Sequence, residues 1–249
     1  TTNVRDKFGF ASAAMRFDLN LAAGASRDVF IAVPFGFRKK IGPSFVRRVA
    51  KEDGAARHDE AARVWSERLG AVTLAQALKH PNWDMGPKVT IDSATMANKG
   101  LELIEARWLF DLPVDRIDVV VHPQSIIHSM VTLKDGSLQA LLSPPSMAYP
   151  IQDCLLYPRR LPCPAPRLDL SVALSLSMSP PDPARYPCLG LARAAARTGG
   201  TAPAIFNAAN EVAVAAFVEG RLNFCGISQV IETVVGAGPS GTATDLDSV

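Results

Sequence analysis

The stretch that decides the fold is Lys88-Val-Thr-Ile-Asp-Ser-Ala-Thr-Met-Ala-Asn-Lys-Gly-Leu-Glu102. Its first part, from Lys88 to Ile91, has the β-branched composition of a short buried strand. Next come residues whose side-chain oxygens can accept a hydrogen bond from the first amides of a helix: Asp92, Ser93 and Thr95. From Met96 onward, apolar residues have the i, i+3, i+7, i+8 spacing of one helix face, at Leu101, Ile104, Trp108 and Leu109. The pattern predicts a strand, a polar turn and a helix.

The start of the predicted helix has the composition of a phosphate site, because the helix dipole there favours an anion. The groups that would converge with exposed backbone amides are the hydroxyls of Ser93 and Thr95, the Asn98 amide and the Lys99 ammonium. Glu102 and Glu105 are three residues apart and share one helix face. Two carboxylates beside a basic cluster suggest a divalent metal. The alternative is a capped amphipathic helix with solvated charges, since strand-turn-helix units are common.

A loop precedes this stretch. Pro81 and Gly86 stop regular structure, so His80 and Trp83 are expected on a loop. A tryptophan on a mobile loop can fold over a ligand as a hydrophobic lid. The alternative is a tryptophan that covers the edge of the core.

Two further strands and a hairpin are predicted after the central helix. The first strand, Ile117 to Val121, ends at His122-Pro-Gln-Ser125. The runs Ile126–Leu133 and Ser137–Leu142 flank an Asp-Gly pair, which is a strong hairpin signal. Polar groups at or beside these strand ends, where active sites of α/β domains gather, are His122, Ser125 and His128. The alternative for such a histidine is a satisfied core residue.

The rest of the chain gives a coarser prediction. A strand is expected at Asp28 to Val33, and helices at Asp59 to Leu69, Thr73 to Leu78, Tyr149 to Tyr157, Pro187 to Arg197, Pro203 to Val218 and Gly226 to Val235. The predicted organisation is an atypical segment at 1–70, an α/β (α+β) central domain at 71–157, a proline-rich linker at 158–186 and a helical carboxy-terminal region at 187–249. The last residues, 236–249, are expected to fray.

The composition of the chain excludes few classes of protein. The chain has 249 residues, 48% of them hydrophobic, and a net charge of +2, which favours no particular partner. No run is apolar and long enough to cross a bilayer, and the start does not resemble a secretory signal. The basic stretch from Arg38 to Lys51 lacks interleaved aromatics, so it predicts a solvated face, not a nucleic-acid surface. Four scattered cysteines fit reduced thiols of a cytosolic protein.

One glycine pattern is rejected as a cofactor site. Gly236-Ala-Gly-Pro-Ser-Gly241 fits the G-x-G-x-x-G pattern of dinucleotide sites. That pattern binds a dinucleotide only between a strand and the helix that opens a βαβ unit. Here it follows a predicted helix.

Several long motifs, in order, resemble the 1-deoxy-D-xylulose 5-phosphate reductoisomerase family. They are HPNWDMG at 80–86, DSATMANKGLELIEARWLF at 92–110, HPQSIIHSMV at 122–131, DG at 135–136, RYPCL at 185–189 and FNAANEVAVAAF at 206–217. The resemblance extends from Ala71 to about Val249. It implies a central domain that binds substrate and metal, followed by a helical carboxy-terminal part.

The resemblance also implies an activity. It is the NADPH-dependent rearrangement and reduction of 1-deoxy-D-xylulose 5-phosphate to 2-C-methyl-D-erythritol 4-phosphate, in isoprenoid precursor synthesis, with Mn²⁺ or Mg²⁺. Family members are homodimers, in the bacterial cytoplasm or the plastid stroma, and neither a nucleic-acid nor a membrane partner is expected.

The same resemblance implies roles for individual residues. Substrate binding falls to Ser93, Asn98, Lys99, His80 and Ser125, with the first three at the phosphate. Catalytic roles fall to His80, Trp83, Glu105 and His128, with Trp83 on the closing loop. Glu102 matches the metal-ligating glutamate, and Met147 matches a methionine close to the nicotinamide.

The front of the chain departs from the family pattern. It contains neither a glycine fingerprint opening a βαβ unit for NADPH nor the Asp-Ser-Glu run that supplies two further metal carboxylates. The nearest remnant of the family's Ser-Gly-Gly-Pro-Phe-Arg loop is Val33-Pro-Phe-Gly-Phe-Arg38, which lacks the serine. Three functions therefore stay open: the enzyme, present as a fragment; a non-catalytic sugar-phosphate-binding remnant; and a protein that dimerises through its helical tail.

Overall fold

The computed structural model describes residues 13–20, 26–32, 54–238 and 241, with side chains from residue 61 onward. The strands are β1 Ala13–Asn20, β2 Ser26–Ala32, β3 Ile117–Val121, β4 Ile127–Thr132 and β5 Leu138–Leu142. The helices are α1 Gly54–Gly70, α2 Leu74–Ala77, α3 Pro87–Thr95, α4 Ala97–Leu109, α5 Ala148–Leu156, α6 Pro187–Thr198, α7 Ala202–Val218 and α8 Phe224–Ala237. A short 3₁₀ turn, Val114–Arg116, precedes β3.

The described strands form one mainly antiparallel sheet in the order β1-β3-β2-β4-β5. The β4–β5 hairpin closes through a turn in which Gly136 has φ of 85°, a conformation that glycine adopts readily. Strand β5 lies at the edge of the sheet. The register of β4 against β5 shifts between Ile127 and Ser129, so His128 is the extra residue of a β-bulge.

Two apolar clusters hold the described part of the chain together. In the larger one, Ile91 of α3 and Ala97 of α4 pack with residues of α6, α7 and α8, including Phe206 and Ile227. In the second, α4 packs on β3, with Leu103 and Ile117 fully buried. Helix α4 therefore lies between the sheet and the carboxy-terminal helices, and it carries several of the predicted site residues.

The predicted strand at Lys88 to Ile91 is wrong, because these residues form the first half of helix α3. Gly86 caps this helix, and Pro87 occupies its first turn, where proline needs no amide partner. The β-branched run favours a strand only weakly, and burial of Thr90 and Ile91 against neighbouring helices overrides that preference.

The predicted apolar stripe of α4 is only partly correct. Leu101 and Ile104 pack in the core. Trp108 and Leu109 are 65% and 77% exposed. They lie at the end of the helix, and neither apolar cluster includes them.

Most other predicted elements are confirmed, with small changes of boundary. Thr73 caps α2, the region from His80 to Gly86 is a loop, the hairpin forms, and the helices at α1, α5, α6, α7 and α8 are present. Residues 158–186 contain no helix, as expected for a linker. In the rejected glycine pattern, Gly236 lies in the last turn of α8. The domain boundaries stay predictions.

Some predictions lie outside the described residues. These are the basic stretch from Arg38 to Lys51, the Val33–Arg38 remnant and most of the tail beyond Gly238. Among the residues that are described, none of the helices has the length and apolar character needed to cross a membrane.

We expect Gly100→Ala to destabilise the fold by about 1–3 kcal/mol, because overpacking a tight core forces neighbours apart. A methyl group at Gly100 of α4 would meet Cβ of Ala192 on α6 closer than two methyl groups can approach. Gly190→Ala on α6 is the matched control, since a methyl group there meets nothing within 4 Å. Urea unfolding measures both, and a Gly100→Ala variant as stable as the control contradicts the close helix contact.

Candidate functional site

One cleft of about 830 Å³ gathers the predicted site residues. Nine of the ten line it: His80, Trp83, Ser93, Asn98, Lys99, Glu102, Ser125, His128 and Met147. They come from the loop before α3, the α3–α4 junction, the turn after β3, the start of β4 and the loop before α5. The tenth, Glu105, is exposed and does not line the cleft.

The α3–α4 junction turns at Met96, which has φ of 61° and is buried. This left-handed residue ends α3 and begins α4, so the chain changes direction there. Ser93 from the end of one helix and Asn98 from the start of the next can then face the same cleft. The amides of the first turn of α4 lack intrahelical acceptors, and the Oγ of Thr95 accepts the one from Ala97.

The predicted capping roles at this junction are partly wrong. Thr95 does contact the helix start, but Ser93 donates its hydroxyl to the carbonyl of Val89 at 2.8 Å. Asp92 is 1% exposed and does not line the cleft; it pairs with Lys88 at 2.6 Å and accepts a hydrogen bond from Asn210 at 3.0 Å. Burial raises the pKa of Asp92, and the bonds from Lys88 and Asn210 act against that rise. Asp92 therefore ties α3 to α7 and takes no part in the cleft.

Lys99 is a buried cation at the cleft floor. It forms an ion pair with Glu102, and the same carboxylate accepts a 2.7 Å hydrogen bond from the Asn98 amide. Burial lowers the pKa of Lys99, while the charges of Glu102 and Glu105 act in the opposite direction. A buried ammonium with one acidic partner retains donor capacity for a second anion.

The carboxylates alone do not make a metal site. Partial loss of solvent, and then the charge of Glu102, raises the pKa of Glu105, as expected for two neighbouring acids. Within residues 61–238, no group of three histidine, cysteine, aspartate or glutamate side chains can hold a metal ion. Mg²⁺ or Mn²⁺ prefers several oxygen ligands. The described residues therefore do not fit a divalent ion without ligands from elsewhere.

His80 organises the loop that precedes α3. Its Nδ1 accepts hydrogen bonds from the backbone amides of Asn82 and Trp83, at 3.2 and 3.0 Å. Because an acceptor nitrogen carries no proton, the neutral ring has its proton on Nε2. Burial lowers the pKa of His80 to about 4. The ring is therefore neutral at physiological pH, with its proton on Nε2.

Trp83 lies against the turn that follows β3. Its indole Nε1 donates to the Oγ of Ser125 at 3.1 Å. Ser125 is 1% exposed and has φ of 54°, so its backbone conformation is left-handed. The predicted lid residue and the predicted substrate-binding serine are thus in direct contact.

His128 reaches the cleft from the β-bulge of β4. Its Nε2 donates to the backbone carbonyl of Ser143 at 2.9 Å, which leaves Nδ1 without the proton in the neutral ring. Burial lowers its pKa, and the positive charge of Lys99 lowers it further. A bulge re-aims a side chain, and here it places the histidine within the electrostatic reach of Lys99.

The far wall of the cleft was missed by sequence reasoning. It comes from residues 149–167, including Arg159, Arg160 and Arg167, most of which belong to the predicted linker. Met147 lies beside this wall and is 57% exposed. The adjacent Arg159–Arg160 pair was visible in the sequence, but no pattern connected it with the cleft 60 residues upstream.

Comparisons with known proteins point to one family. A family profile described as the DXP reductoisomerase C-terminal domain matches residues 142–249. A second profile, the 1-deoxy-D-xylulose 5-phosphate reductoisomerase C-terminal domain, matches residues 56–110, and so begins upstream of Ala71.

Curated relatives carry the same name. That of Rhodopirellula baltica is 57% identical over 169 residues, which are 68% of this chain and 37% of the relative. That of Methylobacillus flagellatus is 57% identical over 181 residues, 73% of this chain and 44% of the relative. The chain thus spans less than half the length of these relatives.

Solved structures give the same similarity. The enzyme from Zymomonas mobilis in complex with NADPH has a TM-score of 0.68 and 42% identity, over 74% of this chain and 47% of that one. DOX-P reductoisomerase in complex with NADPH, fosmidomycin and magnesium has a TM-score of 0.67 and 44% identity, over 69% and 42%.

We expect His80 to make the protein less stable in acid. Because its pKa falls from 6.5 to about 4 on folding, the unfolded chain binds a proton at higher pH than the folded chain does. The stability that neutral His80 contributes is complete above pH 6.5 and is lost as the pH falls to about 4. The loss amounts to at most about 3 kcal/mol.

The matched variant is His80→Asn, whose Oδ1 can accept the same two amides without titrating. Unfolding free energies at several pH values should fall less in this variant between pH 6.5 and 4. Equal slopes for the two proteins would show that His80 is not held neutral.

Proposed function

Because the chain belongs to the 1-deoxy-D-xylulose 5-phosphate reductoisomerase family, we propose that its cleft is the sugar-phosphate part of that enzyme's active site. The whole enzyme would convert 1-deoxy-D-xylulose 5-phosphate to 2-C-methyl-D-erythritol 4-phosphate. The observation that carries the proposal is the gathering of nine predicted residues, distant in sequence, around one cleft. The compartment, bacterial cytoplasm or plastid stroma, stays a prediction.

The phosphate group would bind at the α3–α4 junction. Lys99 supplies the positive charge, and the Asn98 amide and first-turn backbone amides supply further donors. Ser93 can contribute once its hydroxyl leaves the carbonyl of Val89. His80, a neutral ring, lines the same cleft from the loop side.

The rest of the cleft would orient the sugar and exclude water. Trp83 covers one side, and Ser125 and His128 approach from the sheet. Exclusion of water strengthens the polar contacts inside a closed site. We assign His128 and Glu105 as candidate acid–base groups; His128 has an unprotonated Nδ1, whereas Glu105 would require a rearrangement that brings it to the cleft.

NADPH and Mg²⁺ or Mn²⁺ are proposed as cofactors of the whole enzyme, since the solved relatives include complexes with NADPH and magnesium. Met147 is the residue proposed to lie near the nicotinamide, and Glu102 is the proposed metal ligand. As the described residues do not complete a metal site, no reaction step through the ion is derived.

We propose a homodimer as the working assembly. Strand β5 is an edge strand whose residues are all exposed, including Leu138 at 55%. The extended segment before Ser179, which pairs with Val121 of β3, also has exposed apolar side chains: Leu170, Val172, Leu174, Leu176 and Met178. Apolar edges of this kind attract another strand or surface, and a second copy is the occupant that the family assembly suggests.

The second candidate function is a sugar-phosphate-binding protein without catalysis. The closed Lys99–Glu102 ion pair, together with the lack of a three-ligand metal group in the described region, favours it. Turnover separates the two candidates, whereas binding is common to both.

We expect Lys99→Ala to lose the binding of 1-deoxy-D-xylulose 5-phosphate, with affinity reduced at least about tenfold because a charge-assisted bond is removed. Lys134→Ala, at an exposed hairpin position, is the matched control and should bind as wild type does. Calorimetry measures binding. Oxidation of NADPH with substrate and Mn²⁺ measures turnover, and binding without turnover favours the non-catalytic candidate. Equal affinity of Lys99→Ala and wild type would refute the phosphate site.

We expect Leu138→Lys to convert the dimer into a 26.6 kDa monomer, since a charge on an edge strand opposes pairing. Leu109→Lys, at another exposed leucine, is the control and should leave the mass unchanged. Light scattering gives the mass, and a dimeric Leu138→Lys protein would place the interface elsewhere.

A further inference from the structure

We propose that His122, which does not line the cleft, is a positioning residue that holds the Trp83 loop over it by fixing the turn after β3. The inference rests on the proposed function where its test measures substrate binding, but the position of the Trp83 loop can be tested without substrate. It assigns a role to a histidine that sequence reasoning left open between a functional residue and a satisfied core residue.

His122 is completely buried and uses both ring nitrogens. Nδ1 lies 2.8 Å from the carbonyl oxygen of Ser177, and Nε2 lies 3.2 Å from the backbone nitrogen of Ile126. A carbonyl can only accept and an amide can only donate, so the ring donates from Nδ1 and accepts at Nε2. One tautomer therefore joins two chain segments that are 51 residues apart.

The first of these segments is the turn that carries Ser125. The amide of Ser125 donates to the carbonyl of His122 at 3.3 Å, and the Ile126 amide donates to the His122 ring. Between them, Ser125 has a left-handed backbone, which is costly for a residue other than glycine. The surrounding bonds must offset that cost, and His122 supplies two of them.

The second segment, at Ser177 and Ser179, is attached to the same region by other bonds. Ser179 pairs with Val121 through two backbone hydrogen bonds of 2.7 and 2.9 Å. The side chain of Gln124 exchanges hydrogen bonds with Ser177 at 3.1 and 3.2 Å. These bonds fix the end of the linker, and the bond from His122 to Ser177 in turn holds the buried ring in place.

The turn after β3 in its turn holds the Trp83 loop over the cleft, through two hydrogen bonds. The side-chain Nδ2 of Asn82 donates to the carbonyl of Pro123 at 3.3 Å, and the indole of Trp83 donates to Ser125 at 3.1 Å. Both acceptors lie within three residues of His122. A displaced turn would release both bonds and leave Trp83 free to leave the cleft, while Lys99 and Asn98 on α4 would stay in place.

Burial lowers the pKa of His122, and the charge of His128 lowers it further, whereas the hydrogen bond to Ser177 acts in the opposite direction. The lowered pKa supports the fixed neutral tautomer. The ring therefore stays neutral at physiological pH and keeps its acceptor nitrogen.

The test compares His122→Phe, which removes both ring bonds, with His122→Asn, whose Nδ2 can keep the bond to Ser177. Acrylamide quenching of tryptophan fluorescence in the full chain reports exposure of Trp83. The same two substitutions in a Trp83→Phe background give the quenching of Trp65 and Trp108 alone, which is subtracted to leave the Trp83-dependent part. We expect His122→Phe to raise the Trp83-dependent quenching severalfold and His122→Asn to raise it less.

Binding separates positioning from general damage. We expect His122→Phe to weaken the binding of 1-deoxy-D-xylulose 5-phosphate about tenfold, the equivalent of one lost hydrogen bond. Inorganic phosphate should bind to this variant as it does to wild type. A parallel loss of phosphate affinity, or quenching equal to wild type in both variants, overturns the proposal. If His122→Phe does not fold, His122→Asn decides by the same criteria. If wild type binds neither ligand, the proposed function fails, and the quenching result still decides the role of His122.

Discussion

The cleft depends on the change of chain direction at Met96. A continuous helix from Pro87 to Leu109 would place Ser93 and Asn98 on different faces, since five residues correspond to well over one turn. The left-handed conformation of Met96 breaks the helix and aims both ends at the same space. The cost of that conformation is offset by the complete burial of the Met96 side chain and by the tight contact of α4 with α6.

The charges of the cleft follow from where this junction lies. Lys99 is buried because α4 is sandwiched between the sheet and the carboxy-terminal helices, and a buried ammonium requires an acidic partner. Glu102, one turn later, supplies it. The histidines around this pair are held neutral by burial. At this junction one compensated cation therefore lies beside neutral histidines, whereas the arginines of the far wall add positive charge on the other side of the cleft.

Local signals in the sequence predicted local structure well. The Asp-Gly hairpin, the Thr73 cap and the carboxy-terminal helices depend on near neighbours, and the structure has them. The strand predicted at Lys88 failed because β-branched residues outweighed the Gly86–Pro87 helix start in the prediction, whereas packing decided the outcome. Ser93, Asn98 and Lys99 of the cleft were found from the composition of the helix start, and the roles of the other cleft residues were found through family motifs. The arginines of the far wall were not, because nothing near them in the sequence reports a contact made across the fold.

The hydrogen bonds of His80 have a consequence for the thermodynamics of ligand binding. Its Nδ1 gathers the amides of Asn82 and Trp83, so the loop is ordered by its own residues before any ligand arrives. A ligand that meets a preorganised loop does not have to immobilise it, and the conformational entropy of that ordering is lost during folding instead. The interaction energy of a ligand would then be available for affinity and orientation, and His80 would contribute through the shape that it imposes on the loop.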